Sequence, residues 1–241
     1  MFSRKKQQKL DKYVSGTQEQ ILQRKENIGE KLSFGASEAY KLLRTNLMFS
    51  MPDDEQCKII GVTSSLRGEG KSTTSMNLAY TLAEAGKKTL LIEADMRIPI
   101  LAETLDLKTT PGLSNVLAGL NDLEEALRYE VLKKQLCVLP AGEIPPNPSE
   151  LLSSKRMEQL IEALSNIFEY IIIDLPPLNA VSDGLALAKI LTGMVMVVRQ
   201  DYCDQNALAT SMRQMKFLQV KVLGFVMTYA HDADKHYYRG K

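Results

Sequence analysis

Ile59-Ile60-Gly61-Val62-Thr63-Ser64-Ser65-Leu66-Arg67-Gly68-Glu69-Gly70-Lys71-Ser72-Thr73 is an apolar run, then a glycine-containing loop, then Gly-Lys-Ser at the opening of a helical pattern. The order of strand, loop and helix carries the meaning. A nucleotide triphosphate needs many backbone N–H groups turned inward, small residues that let the chain wrap it, and a helix N-terminus whose dipole favours negative charge. Ser65, Gly68, Glu69, Gly70, Lys71, Ser72 and Thr73 are therefore the candidate nucleotide-binding residues. Lys71 would reach the β and γ phosphates, and the Ser72 hydroxyl would bind Mg²⁺. Ser65 stands where the phosphate-loop consensus opens with glycine, so the match is incomplete. A chance Gly-Lys-Ser in an ordinary turn is the competing reading, and two further motifs weigh against it.

Moving outward, β-rich runs occur at Ile59 to Thr63, Thr89 to Ala94, Leu136 to Leu139, Tyr170 to Asp174, Val195 to Arg199 and Val222 to Met227. Helical or turn segments separate them, which predicts an α/β fold: a doubly wound, mostly parallel sheet with helices on both faces. Leu90-Leu91-Ile92 and Ile171-Ile172-Ile173 are apolar without alternation, as central strands covered on both sides require. Ser72 to Ala85 has helical spacing and stops at Gly86. A second helix is expected from Ser37 as N-cap, and a third over Ser149 to Phe168 after a stiff loop at Pro145, Pro146 and Pro148. The chain divides into a polar N-terminal arm (1–33) outside the core, a phosphate-loop domain (34–230) and a polar tail (231–241).

The second motif is Leu90-Leu91-Ile92-Glu93-Ala94-Asp95-Met96-Arg97, in which Glu93 and Asp95 follow a buried strand and are expected on one side of it. The third is Tyr170-Ile171-Ile172-Ile173-Asp174-Leu175-Pro176-Pro177, an apolar strand ending in an acid of the kind that organises Mg²⁺ through water. In a doubly wound sheet, both strand ends fall at the edge where ligands bind. A buried unpaired Asp174 would be costly, and a metal ion or a lysine removes that cost.

Bulk properties set the bounds. The 241 residues are 44% hydrophobic and 24% charged, which suits one sizeable soluble domain. A formal net charge of +1 supplies no general field for nucleic acid, so no nucleic-acid partner is expected. Arg4, Lys5, Lys6, Lys9 and Lys12 form a local basic cluster, read as a solvated terminus or a weak contact with anionic lipid. Cys57, Cys137 and Cys203 are odd in number and far apart, which fits a reducing cytoplasm better than a disulfide framework or a zinc site. No apolar run approaches the roughly 18 residues of a spanning helix. Membrane association would come through a partner.

With these motifs in view, residues 35 to 230 resemble the bacterial tyrosine kinases of polysaccharide biosynthesis, within the larger MinD/ParA-like group of phosphate-loop ATPases. Asp95-Met96-Arg97 with Pro99 is similar to the family's second acidic element, and Asp174-Leu175-Pro176-Pro177 to its metal-organising one. Glu38-Ala39-Tyr40-Lys41-Leu42-Leu43-Arg44 resembles a helix that packs between neighbours in ring-shaped oligomers of relatives. Glu38, Lys41 and Arg44 are thus candidate oligomer contacts, with Lys41 in place of the family's arginine. Tyr237 and Tyr238 resemble the C-terminal tyrosines that relatives autophosphorylate in trans.

The resemblance implies a cytoplasmic, ATP- and Mg²⁺-dependent protein-tyrosine kinase that controls capsule or exopolysaccharide synthesis. It also implies a homo-oligomer, a separate membrane-anchored activator that brings the kinase to the inner face of the membrane, and an opposing tyrosine phosphatase. Lys71, Asp95 and Asp174 take catalytic and metal-organising roles in that reading. Glu93, an aspartate in relatives, takes the role of orienting or deprotonating the incoming phenol. Thr228 stands where related ATPases commonly carry an asparagine near the base. The alternative class is an ATPase switch of the MinD/ParA kind that controls partner or membrane association without phosphorylating protein; such a switch needs neither the tyrosine tail nor the Glu38 to Arg44 helix. Exposed terminal tyrosines and a solvated helix face are the plain readings of those two features.

Overall fold

The computed structural model describes residues 21–51, 56–181 and 183–230. In chain order its elements are α1 (Phe34–Ser50), β1 (Lys58–Ser64), α2 (Lys71–Glu84), β2 (Thr89–Glu93), α3 (Leu101–Thr104), α4 (Leu113–Ala118), α5 (Leu123–Ala126) and β3 (Leu136–Leu139). They continue with α6 (Pro148–Leu152), α7 (Lys155–Ser165), β4 (Tyr170–Asp174), a 3-10 segment (Asp183–Ile190), β5 (Gly193–Arg199), α8 (Gln205–Phe217) and β6 (Val222–Thr228). The six strands form one sheet in the order β3-β2-β4-β1-β5-β6, and every pairing is parallel.

The unbroken apolar runs are explained by what lies on either side of them. Leu90, Ile92, Ile171 and Ile173 pack with Met157, Leu164 and Met215 on one face. Leu91 and Ile172 turn the other way, into a cluster with Leu47, Leu78 and Leu82 of α1 and α2. Successive residues of a strand point to opposite faces, so a strand covered twice has no polar position to offer.

The strand order creates the site. The chain leaves β1, passes over to β2 and β3, then returns to insert β4 between β2 and β1. Asp174 at the end of β4 is consequently in register with Glu93 on one side and Val62 on the other. The acidic ends of β2 and β4 and the loop after β1 meet at one edge.

Three expectations are corrected here. Residues 21–33 are not outside the core: Ile28 is buried among core side chains, and Gly29 N and Asn27 O both bond the Asn77 amide, each at 2.9 Å. The polar composition of the segment hid one apolar anchor. α1 begins one turn earlier than expected, because Ser33 rather than Ser37 accepts a hydrogen bond, from Ala36 N at 3.3 Å. The helix expected over Ser149 to Phe168 is two helices, since the Ser154 hydroxyl accepts from Met157 N and starts a new one. The basic cluster of residues 4–12 and the tail with Tyr237 and Tyr238 lie outside the described residues. No helix among the described residues is long and apolar enough to cross a membrane.

Candidate active site

The loop between β1 and α2 is shaped by two glycines in the left-handed region, Gly68 (φ 81°) and Gly70 (φ 89°), which side-chain-bearing residues rarely adopt. Glu69 lies between them and is fully buried. Its carboxylate accepts from Leu66 N at 2.6 Å, and its carbonyl accepts from the Thr228 hydroxyl at 2.7 Å. Glu69 and Thr228 thus brace the loop from behind. Thr74 N is the first N–H of α2 to reach a backbone acceptor, Gly70 O at 2.9 Å. The N–H groups of residues 67–73 have no acceptor among the described residues, which leaves a concave row of donors at a helix N-terminus.

Lys71 opens α2 and lies 3.0 Å from Asp95 Oδ2 and 3.4 Å from Asp174 Oδ2, with its ammonium 3.1 Å from the Ser72 hydroxyl. Burial pulls this ammonium down, but Asp174 and Asp95 together outweigh it and hold Lys71 above its ordinary value. Burial pushes the Asp174 carboxyl up, although Lys71 and the Ser72 and Ser75 hydroxyls pull it back. Ser75 donates to Asp174 Oδ1 at 3.0 Å. The motifs did not single out Ser75; its spacing of four from Lys71, which puts both on one helix face, was the available signal.

Glu93 is placed differently from the expectation. One carboxylate oxygen accepts from Ile100 N and Leu101 N, the other from Ala141 N at 3.1 Å, so both are engaged by backbone. Burial raises this carboxyl to about 7 against those three bonds. β2 ends at Glu93, so Asp95 leaves the sheet and turns to Lys71 while Glu93 holds the start of α3. The chain after Asp95 is pinned by Arg97, whose Nε lies 2.7 Å from Asp183 Oδ2 and whose Nη2 lies 3.2 Å from Oδ1. Ser149 adds a short hydrogen bond to Asp183.

A cleft of about 130 Å³ opens over the loop, lined by Arg24, Arg67, Lys71, Ser72, Asp95 and Pro177 among others. Ser72, Asp95 and Asp174 are hard oxygen donors in the cleft or directly beneath it, the donor type that suits Mg²⁺. No cluster of three His, Cys, Asp or Glu side chains suited to a metal occurs among the described residues. Beside the loop, Arg199 Nη1 donates to Gly68 O at 3.3 Å, and its guanidinium stacks 4.0 Å from the Tyr229 ring centroid and 4.9 Å from that of Tyr202.

The expected oligomer contacts lie away from the cleft on α1. Glu38 and Lys41 pair with each other at 2.8 Å, and Arg44 donates to Thr81 O at 2.8 Å, tying α1 to α2 within the chain.

The family model described as "AAA domain" matches residues 57–220. The tyrosine-protein kinase CpsD of Streptococcus agalactiae is 39% identical over 197 residues, covering 81% of this chain and 84% of that protein. The crystal structure of the chimerical protein CapA2B2 superposes with a TM-score of 0.77 at 33% identity, over 82% of this chain and 86% of its own. The kinase domain of the Escherichia coli tyrosine kinase ETK does so with a TM-score of 0.75 at 32% identity, over 81% and 78%.

Proposed function

This chain belongs to the bacterial tyrosine-protein kinases built on the AAA-type phosphate-loop domain, and from that premise we propose that it transfers the γ-phosphoryl group of ATP to Tyr237 and Tyr238 of a neighbouring copy. The observation that carries the proposal is Lys71, held between Asp95 and Asp174 at the foot of a row of unpaired backbone N–H groups. Phosphoryl transfer asks for positioned positive charge and little covalent chemistry.

The N–H groups of residues 67–73 bind the phosphates, and Lys71 leaves its carboxylates to follow the charge that spreads over the transferred group. Ser72, Asp95 and Asp174 would hold Mg²⁺, which would supply neutralisation of phosphate charge. Asp95, which faces the cleft, accepts a hydrogen bond from the incoming phenol. The phenol pKa is about 10, so a carboxylate gains little by removing the proton early, and Asp95 orients the hydroxyl and receives its proton late. Glu93 contributes by holding the turn into α3.

Assembly in trans is supported by the outer face of α1, where Phe34, Leu42 and Phe49 are exposed beside the Glu38–Lys41 pair. Three large apolar side chains on one open helix face suit a contact between copies. A separate membrane-anchored activator and a tyrosine phosphatase complete the cycle, and its output is control of capsule or exopolysaccharide synthesis.

Purified protein incubated with Mg-ATP, beside a Lys71→Met control, is tested by mass spectrometry of the C-terminal peptide. Phosphate on Tyr237 or Tyr238 that is lost in the control is expected. ATP turnover with an unmodified tail, even with an activator segment added, would replace this reading with the ATPase switch.

A further inference from the structure

We infer that Arg24, outside every motif of the phosphate loop, is a ligand of the nucleotide's terminal phosphate, delivered to the cleft by the docked segment of residues 21–33. The inference rests on the proposed ATP site and names a further residue of it.

Arg24 lines the same cleft as Arg67, Lys71 and Asp95. Among the described residues neither the Arg24 nor the Arg67 guanidinium has a carboxylate partner, whereas Asp95 is already engaged by Lys71. The cleft is therefore lined by two arginines that have no carboxylate partner among the described residues. A planar guanidinium matches phosphate oxygens two at a time, and a multiply charged phosphate is the complement of such a pair.

The arm holds Arg24 in place. Asn27 N bonds Arg24 O at 2.9 Å and closes the turn directly after it. Asn77, fully buried on α2, then reads the arm twice, accepting from Gly29 N and donating to Asn27 O. Gly29 has φ +62°, and a Cβ there would meet the Tyr80 ring at 3.0 Å, so the close approach needs glycine. Lys25 pairs with Asp106 and Glu30 with Lys133, on either side of the buried Ile28. The helix that carries Asn77 begins at Lys71, so the phosphate loop and the arm share one rigid support.

The test compares binding of Mg-ATP and Mg-ADP to the full chain, together with kcat and KM for ATP, in the parent, Arg24→Ala, Arg24→Lys and Glu26→Ala. Glu26 lies on the same turn but pairs outward with Lys31, so its variant reports on the arm alone. A hydrogen-bonded charge contact of this kind is expected to be worth about ten- to hundredfold in affinity. Arg24→Ala should weaken ATP by that factor, leave ADP within about twofold and lower kcat, with Arg24→Lys intermediate and Glu26→Ala at parent values. Equal loss for both nucleotides, or no loss for either, would overturn the assignment while leaving the ATP site intact. A parent that binds neither nucleotide would overturn the site itself and the role of Arg24 with it.

Discussion

Lys71 sits on the balance between a folded core and a reactive one. Its two carboxylate partners lie within 3.4 Å, and one of them, Asp174, has no exposed surface at all. Removing the ammonium leaves a buried carboxylate without its counter-charge, which typically costs about 3–5 kcal/mol. Lys71→Met should thus lower stability by roughly that amount in urea denaturation, and phosphoryl transfer by about a thousandfold or more. Adding Asp174→Asn should restore much of the stability and none of the transfer. Recovery of both together would mean that the lysine acts only as structural support.

At the scale of elements, two turns decide how the edge of the sheet is presented. Gly70 has φ 89°, and a Cβ there would lie 3.2 Å from Thr228 Cγ2. Gly70→Ala should cost about 1–2 kcal/mol for the left-handed backbone alone and weaken nucleotide binding. Thr228→Ser, which keeps the hydroxyl on Glu69 O and removes the methyl, should rescue little of that loss; full rescue in a thermal melt would assign the cost to crowding instead. The second turn follows Asp95 and is latched by Arg97 to Asp183. Burial pushes the Asp183 carboxyl up, but the bonds from Arg97 and Ser149 outweigh it and hold it below its ordinary value. A carboxyl lowered on folding stabilises above its unfolded pKa of about 3.9, and that contribution is lost as pH falls through the folded value. Asp183→Asn should flatten this acid limb of the stability curve and cost about 1–2 kcal/mol at neutral pH, a modest figure because the Arg97 side chain is 41% exposed. It should also raise KM for ATP several-fold through Asp95. An unchanged profile below pH 4 would show that the latch contributes nothing.

For the whole molecule, the arm is the element that joins distant parts. Ile28 enters the cluster formed by α1, α2 and the sheet, and Asn77 ties the same segment to the helix of the phosphate loop. Ile28→Ala should cost about 2–4 kcal/mol, as large-to-small changes in a packed core do. Hydrogen exchange should then show the amides of residues 27–32 opening well below the global unfolding free energy. Loss of protection spread evenly through the sheet would mean that the arm is an inseparable part of one cooperative unit.

The strands and the three motifs were legible in the sequence because their signals are local. Ile171-Ile172-Ile173 before Asp174 reads as a doubly covered strand whatever surrounds it, and Gly-Glu-Gly-Lys-Ser after an apolar run reads as a phosphate loop. The family resemblance came from the same short segments. What the neighbours of a residue are was not legible. Glu93 and Asp95 look equivalent in sequence, yet the strand ends between them, so one holds backbone amides and the other holds Lys71. Glu69 looks like a phosphate contact, but its side chain turns inward to brace the loop. Arg24 belongs to a polar segment whose weak helical pattern, through Ile21, Leu22 and Ile28, reads as an arm outside the core, although Ile28 is buried. Sequence alone determined the strand order along the chain and the chemistry at each strand end; the tertiary structure alone decided which of those ends met, because insertion of β4 between β1 and β2 is a property of packing and leaves no local trace.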